Sequence, residues 1–530
     1  MIDSAMRLHL RRPRSVPDFA FFGQALLLAG LVSVPALASG ANESIPTSVL
    51  ETRPAQLRLT YEQVDISTSE TMGLGGLSYL VNVSPSIYAG LSAYGALSGE
   101  RGGFFTGGLE VGTGVRYGRV LVDAGMFVGG GGGGSAPQGS GLMLRPHLAV
   151  SRQFDDFSLG AGLSWVKFPD GDIDSKQVYL NLGIPLDVVF ADSRYAGKSL
   201  DAGEVAGFGL RQGRSRLVAK AEGYSPASGV LATTGGTMSD MDTLGFEYQY
   251  DLASGWFGFL EVAGAGEGGS DGYAEVLFGA GWGMPIFGGS TRLNLSASVG
   301  GAGGGTVDTG GGVIGKAGIG IEHRFSPRLS AGLEVGKVAS QGSFEGSRVG
   351  LSLSYALGEL NPTRHGQAVG KGESVVLQGW EVAASHQSYL KAQRKDGSDE
   401  GVDLVGMKLA RQLGEHAYLT GQAYGAYAGG AGGYAVGLMG GGLLYPLGNS
   451  PWSVSLEALL GVGGGGSLDV SGGGLAQIQA GVRYRLTRNL ALQLELGAVK
   501  SLSGALDSEI ANINLVYSFS RPELCLVEPR

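Results

Sequence analysis

The sequence predicts an all-β chain: an antiparallel up-and-down β-barrel fold of about 24 strands, written as three eight-strand repeats. Three observations predict it. A glycine run recurs at one place in each of three copies: VGGGGGGSAPQGSGL (Val128 to Leu142), VGGAGGGTVDTGGGV (Val299 to Val313) and VGGGGSLDVSGGGL (Val462 to Leu475). The last glycine before the Ser or Thr is Gly134, Gly305 and Gly466, a period of roughly 160 to 170 residues, which is the size of a small domain and too long for a solenoid repeat. Between the runs, apolar residues alternate with polar or small ones at period two. Finally, the connections within each copy run short, long, short, long.

In chain order, the first element is an export signal, residues 1–38. Arg7, Arg11, Arg12 and Arg14 make a positive start, Phe19 to Val34 is largely apolar, and Ala36-Leu37-Ala38 is an A-x-A cleavage site. Pro-Arg-Ser after Arg11-Arg12 argues for the ordinary secretory route over the twin-arginine one. Gln24 and Pro35 interrupt the segment and argue against a retained anchor. Repeat 1 then spans 39–189, a linker 190–215, repeat 2 216–357, a second linker 358–378, repeat 3 379–520 and a tail 521–530. Loss of the signal removes four Arg and two Asp, moving the formal charge from −9 to −11. That balance offers no basic stripe for nucleic acid, which we exclude as a partner. Cys525 is the single cysteine, so an internal disulfide is impossible.

The 98 glycines do not signal disorder, because the segments between them keep strict alternation. Leu490, Leu492, Leu494 and Leu496 share one face of a strand, with Ala491, Gln493, Glu495 and Gly497 on the other. Ile513, Leu515, Tyr517 and Phe519 oppose Asn512, Asn514 and Ser518. Leu293, Leu295, Ala297 and Val299 oppose Arg292, Asn294, Ser296 and Ser298.

Alternation alone also fits a soluble sandwich; strand length and turn asymmetry favour a barrel in lipid. Short connections include Ser84-Pro85-Ser86, Tyr117-Gly118-Arg119, Phe287-Gly288-Gly289, Ser326-Pro327-Arg328, Gly448-Asn449-Ser450 and Thr487-Arg488-Asn489. The alternate connections are longer and richer in Gly, Ser and Asp, as a transmembrane barrel with tight periplasmic turns requires. Strands of about ten residues suit its apolar band, and lipid makes closure compulsory. Trp452 with Tyr445, Trp256 with Phe257, and Phe154 with Phe157 flank short turns as an interfacial girdle does.

The hairpins IEHRFSPRLSAGLEVG (Ile321 to Gly336) and VRYRLTRNLALQLELG (Val482 to Gly497) resemble the penultimate hairpin of small OmpA-type outer-membrane barrels. INLVYSF, ending at Phe519, resembles that class's C-terminal assembly signal, from which the eleven residues after Phe519 depart. The resemblance implies an exported, integral outer-membrane protein surrounded by outer-membrane lipid and lipopolysaccharide and handled by the barrel-assembly machinery during biogenesis.

Two architectures follow: three tandem eight-stranded barrels, or one 24-stranded barrel. The linkers favour three, since about 20 flexible residues cover about 25 Å and one continuous sheet needs no such length. Small inward faces point the same way. Ser158, Gly160, Gly162 and Ser164 line one strand, and Gly350, Ser352, Ser354 and Ala356 another, which suits a cramped interior. The glycine runs, at the outer end of strand five and in the loop to strand six, are expected to curve or cap the barrel.

Catalytic chemistry finds little footing. His147, His323, His365, His386 and His416 lack ligand spacing and read as turn or rim residues. Asp170, Asp172 and Asp174 in FPDGDIDSK are weak metal candidates: they open like a calcium loop, but position twelve is Asn181 rather than Glu. GGGGSLDVS (Gly463 to Ser471) misses the calcium nonapeptide because Asp469 is one place late. We therefore expect no cofactor, no enzyme activity and a structural or surface-interaction role, its ligand unspecified. The alternative is a porin-like or polymer-export channel formed by one 24-stranded barrel. A lipid-modifying outer-membrane enzyme is a third class, for which no Ser, His and carboxylate assemble on one rim.

Overall fold

The computed structural model describes residues 44–525, apart from 68–69, 202–204, 206, 214, 253, 363–366 and 371–372. The expected export segment and His365 lie outside the described residues. The first eight long strands are β1 (Glu51–Ser67), β2 (Glu70–Asn82), β3 (Ile87–Ser98), β4 (Phe105–Tyr117), β5 (Val120–Gly132), β6 (Met143–Gln153), β7 (Ser158–Lys167) and β8 (Asp174–Asp192). The second eight are β9 (Ser215–Pro226), β10 (Met241–Asp251), β11 (Trp256–Gly268), β12 (Ala274–Ile286), β13 (Thr291–Gly303), β14 (Val313–Arg324), β15 (Leu329–Ser340) and β16 (Glu345–Ala356). The last eight are β17 (Val375–Gln393), β18 (Asp399–Gln412), β19 (Ala417–Ala428), β20 (Ala435–Pro446), β21 (Trp452–Gly464), β22 (Gly474–Arg485), β23 (Leu490–Ser501) and β24 (Asp507–Leu524).

Neighbours in each set pair antiparallel, and the first strand of each set pairs with the last strand of the same set. β1 runs against β8 from Glu51↔Phe190 to Glu62↔Tyr179, β9 against β16 from Arg216↔Ala356 to Pro226↔Gly346, and β17 against β24 from Val375↔Leu524 to Tyr389↔Ile510. One continuous 24-strand sheet would instead join β8 to β9 and β16 to β17. Among the described residues, long strands of different sets pair at Phe519↔Asp192 and Ser520↔Ala191 alone, where β24 touches β8.

Alternation sets the faces. Leu492, Leu494 and Leu496 point outward with 38%, 46% and 70% of their surface exposed, while Gln493 and Glu495 between them are buried. Ile513 and Leu515 face out and Asn512 and Asn514 face in. Short turns join strands at one end; at Tyr117↔Val120 the two-residue loop starts at Gly118 with φ +61°, a conformation that favours glycine. Most alternate connections are longer; the exceptions are 341–344 between β15 and β16, no longer than a short turn, and the β1–β2 connection, whose ladder continues to Ser67↔Glu70.

The linkers, expected as flexible spacers, carry short strands. Arg211–Gln212 of the first pairs with both Leu360–Asn361 and Gln367–Ala368 of the second, and Ser199–Leu200 bridges Ser44–Ile45 and Val375–Val376. Two-residue strands are too short for periodicity to reveal. Leu200, Leu360 and Val375 of these segments join Leu50, Val189, Val205, Leu210, Val369 and Leu524 in a buried apolar cluster at the short-turn end. β8 and β24 also overrun the expected boundaries: β24 passes through Phe519 to Leu524, and β17 begins at Val375 rather than 379.

The glycine runs lie where the barrels meet. A Cβ on Gly303 of the second set would overlap the Gly103 backbone of the first, one on Gly464 of the third would overlap Gly272 of the second, and one on Gly433 of the third would stand 3.0 Å from Gly133 N of the first. The same cycle repeats one turn away, where Gly312 abuts Ala96 O, Gly473 abuts Ala265 O and Gly141 abuts Ala426 O. Backbone hydrogen bonds Gly102 N to Gly310 O (2.9 Å) and Gly433 N to Gly131 O (3.2 Å) cross two of these junctions. Each set therefore presents one loop to the run of the next, and the third returns to the first. The expected curving or capping role is replaced by close approach between barrels, which only residues without a side chain permit.

Candidate functional site: the barrel interiors

The inward positions of the strands carry long charged side chains, correcting the expectation of interiors lined chiefly by small residues. In the first barrel Arg58 on β1 pairs with Asp123 (3.1 Å) on β5 and Glu110 (3.4 Å) on β4. Arg145 on β6 reaches Glu62 on β1 at 2.7 Å and lies over the rings of Tyr94 and Tyr179. Ser78 and Ser92 donate to Glu110 and Tyr88 donates to Asp123. His147, expected at a rim, is buried mid-strand on β6, its Nε2 3.3 Å from Tyr88 Oη and 3.7 Å from both Glu110 and Asp123.

The second barrel holds the densest network. Lys316 Nζ on β14 lies 2.7 Å from Glu222, 2.6 Å from Glu261 and 2.6 Å from Glu275. Those three carboxylates converge closely enough to hold a metal ion, but the ammonium occupies their centre and serves as their counter-charge. Lys220 adds contacts to Glu261 (2.8 Å), Glu222 (3.2 Å) and Glu247 (3.4 Å), and Arg348 spans Glu222 (2.6 Å) and Glu334. Toward the short turns Arg216 pairs with Glu322 (2.9 Å) and Asp251 (3.1 Å). Between the two layers is a hollow of about 40 Å³ bordered by Lys220, Glu247, Asn294, Glu322, Glu334 and Arg348.

In the third barrel Lys408 sits between Glu495 (2.7 Å) and Glu457 (3.1 Å), and amides complete the layer. Gln422 and Gln479 donate to Glu457, and Asn514 donates to Glu495. One tie occurs in all three. The residue at the same distance beyond Gly134, Gly305 and Gly466, on the sixth strand of each set, crosses the lumen to the first strand: Arg145 to Glu62, Lys316 to Glu222, and Gln477 to Gln387, the last an amide pair at 3.3 Å.

Above the polar layer, toward the long loops, each lumen is filled by apolar side chains. Tyr94, Phe104, Phe127, Met143 and Phe168 belong to this cluster in the first barrel. Tyr224, Tyr273, Ile314 and Phe344 do so in the second, and Tyr389, Tyr434, Leu468 and Leu475 in the third. Paired charges and the apolar filling above them crowd each lumen with side chains, as in a barrel interior just wide enough for side chains.

Asp170 and Asp172 in the β7–β8 loop and Asp174 at the start of β8 are exposed. Asp170 accepts from Ser140 N (3.0 Å), and Asp174 accepts from Trp165 Nε1 (2.6 Å) and pairs with Lys167. His323 bonds Thr291 near a short turn, His386 contacts Ser388 and Tyr427, and His416 stacks on Tyr445. The lumen residues were missed although their signal is present: Arg58, Thr60 and Glu62, and likewise Lys220, Glu222 and Tyr224, occupy alternate positions on the face opposite the aliphatic one.

The sequence matches no protein-family profile and no curated protein. Among solved structures it is similar to Pseudomonas aeruginosa OccK11 (OpdR), at 13% identity over 90% of this chain and 98% of that one, with a TM-score of 0.21. It is similar to OccK5 (OpdH) of the same organism at 10% identity over 89% and 98%, TM-score 0.21. A mutant of the P. aeruginosa ferric enterobactin receptor PfeA in complex with enterobactin is similar at 10% identity over 90% and 82%, TM-score 0.26. At scores this low no property of those proteins is carried over to this chain.

Proposed function

We propose that this chain is an integral outer-membrane protein working as three self-closed, non-conducting eight-strand barrels, with a structural or surface-interaction role. The observation that carries the reading is the filling of every lumen: a charged or amide layer ties opposite walls, and an apolar cluster occupies the long-loop end. Residues such as Leu163, Val178, Leu351, Leu460 and Leu496 form an outward aliphatic surface, most of it exposed, which suits lipid. Phe154, Trp256, Phe287, Phe325, Tyr445 and Trp452 lie at the short-turn end, where an interfacial girdle sits. What remains for contact with other molecules is the long-loop surface.

The second reading, a porin-like or polymer-export channel, has one observation in its favour, the polar hollow beside Lys220 and Glu334 in the middle barrel. With strands paired in closed sets of eight, such a channel would run through a single narrow lumen. Purified full-length protein in planar bilayers separates the two. Filled lumens give no stable conductance and no uptake of oligosaccharide-sized solutes; a reproducible conductance of ordinary porin size would replace the first reading by the second.

A further inference from the structure

Each barrel closes without Ser520–Leu524, yet these residues contact the first barrel, the second linker and the third barrel. Past Phe519, the residue at which the outer-membrane assembly signal would end, β24 continues with Ser520, Arg521, Pro522, Glu523 and Leu524. Ser520 Oγ donates to Asp192 O of the first barrel (3.3 Å), beside the Phe519↔Asp192 ladder. Arg521 Nη2 donates to Asn361 Oδ1 (3.1 Å), and Nη1 stands 3.8 Å from Glu359, both in the second linker. Glu359 in turn accepts from Ser215 Oγ and Tyr248 Oη of the second barrel, each at 2.8 Å. Glu523 accepts from Trp380 Nε1 (3.2 Å) and Arg411 Nη2 (2.8 Å) of the third. Leu524 N donates to Gly358 O, and its side chain joins the apolar cluster of both linkers. Arg521, Glu523, Glu359 and Asn361 are all buried.

We propose that the segment after Phe519 is an assembly lock that joins three already closed barrels and pins both linkers against them. Its position fits the task. It meets the first barrel at Asp192 and the second through Glu359, so these contacts form only once the barrels stand side by side. Pairing of β17 with β24 from Tyr389↔Ile510 to Trp380↔Phe519 closes the third barrel without it. Arg521 finds Asn361 and Glu359 only in the joined state, whereas Glu523 is held by Trp380 and Arg411 of its own barrel. The departure from the assembly signal thereby acquires a role, one independent of what the barrels bind or pass.

The test uses the full chain carrying Ser520→Ala with Arg521→Ala, beside a chain ending at Phe519. Both are compared with wild type by heat-modifiable electrophoretic migration and by tryptic cleavage of the native protein in detergent at Lys198, an exposed linker residue. Expected are intact heat-modifiable barrels with linker cleavage at least tenfold faster than wild type, the fragments then separating on gel filtration. Cleavage within twofold of wild type, or fragments that stay together, overturns the lock. Loss of heat-modifiable migration in the double variant also overturns it, because these side chains would then serve barrel closure rather than the joining of closed barrels.

Discussion

Lys316 is surrounded by three carboxylates on three other strands, so its value is best seen by removing it. Lys316→Met keeps the length of the side chain but leaves Glu222, Glu261 and Glu275 facing one another with only Lys220 and Arg348 nearby. Breaking a buried pair by deleting one partner costs roughly 3 to 5 kcal/mol, and that loss is expected in urea unfolding of detergent-folded protein. Gln477→Met, at the corresponding place in the third barrel, strands a neutral amide and is expected to cost only about 1 to 3 kcal/mol. Equal losses at the two sites would show that shape rather than charge holds the walls. On the outer face, Leu494→Arg is expected to cost roughly 2 to 4 kcal/mol near mid-membrane and to impair assembly, whereas Leu494→Val assembles normally. Its inward neighbour is not a tolerant control. Glu495 accepts from Lys408, Gln493 and Asn514, so Glu495→Ala is expected to impair assembly too, by unpairing Lys408 rather than by meeting lipid.

The glycine runs show how far strand patterns carry an argument from sequence. Alternation in segments such as Leu490 to Gly497 is enough to assign faces, and the short-long sequence of turns is enough to assign ends. Neither says what stands outside a barrel wall, and the junctions between barrels are contacts between residues far apart in the chain, Gly103 with Gly303 and Gly272 with Gly464. Their only local trace is the absence of a side chain, which a bulge, a tight turn or a close approach explains equally well. The lumen charges were hidden for a different reason: Arg58, Glu62, Lys220 and Glu222 read as ordinary solvated residues until closure brings their partners across from other strands. The junction itself is testable. Gly464→Ala forces its methyl group into the Gly272 backbone and is expected to lower stability by about 1 to 3 kcal/mol and loosen the contact between the second and third barrels. Gly437→Ala, with open space around the new methyl, serves as the matched control and is expected to leave both unchanged. A thermal-unfolding midpoint for Gly464→Ala equal to that of Gly437→Ala would remove the junction from the determinants of assembly.

Three barrels that close on themselves yet touch in a cycle raise the question of which comes first, closure or association. The pairing of β9 with β16 continues through eleven residue pairs and the lumen of that barrel is tied across by Lys316, Arg348 and Arg216, all to partners within the same set. Its outer apolar cluster is likewise made only of residues from Tyr224 to Phe344. Against this stand the outward faces of Leu217, Tyr248, Tyr250 and Leu260, which bury themselves with Trp380 and Leu409 of the third barrel. Those faces are apolar, and in detergent or lipid their loss of a protein neighbour is replaced by acyl chains at little cost. Closure should therefore precede association, and a fragment of residues 215–357, refolded alone in detergent, is expected to give a compact, protease-resistant β-sheet species whose electrophoretic mobility changes on heating. Its unfolding midpoint should lie below that of the whole chain, because the glycine junctions and the linker cluster are gone. If the fragment stays unfolded under conditions in which the complete protein folds, the neighbouring barrels are templates for closure, and the three sets form one cooperative unit rather than three units joined afterwards.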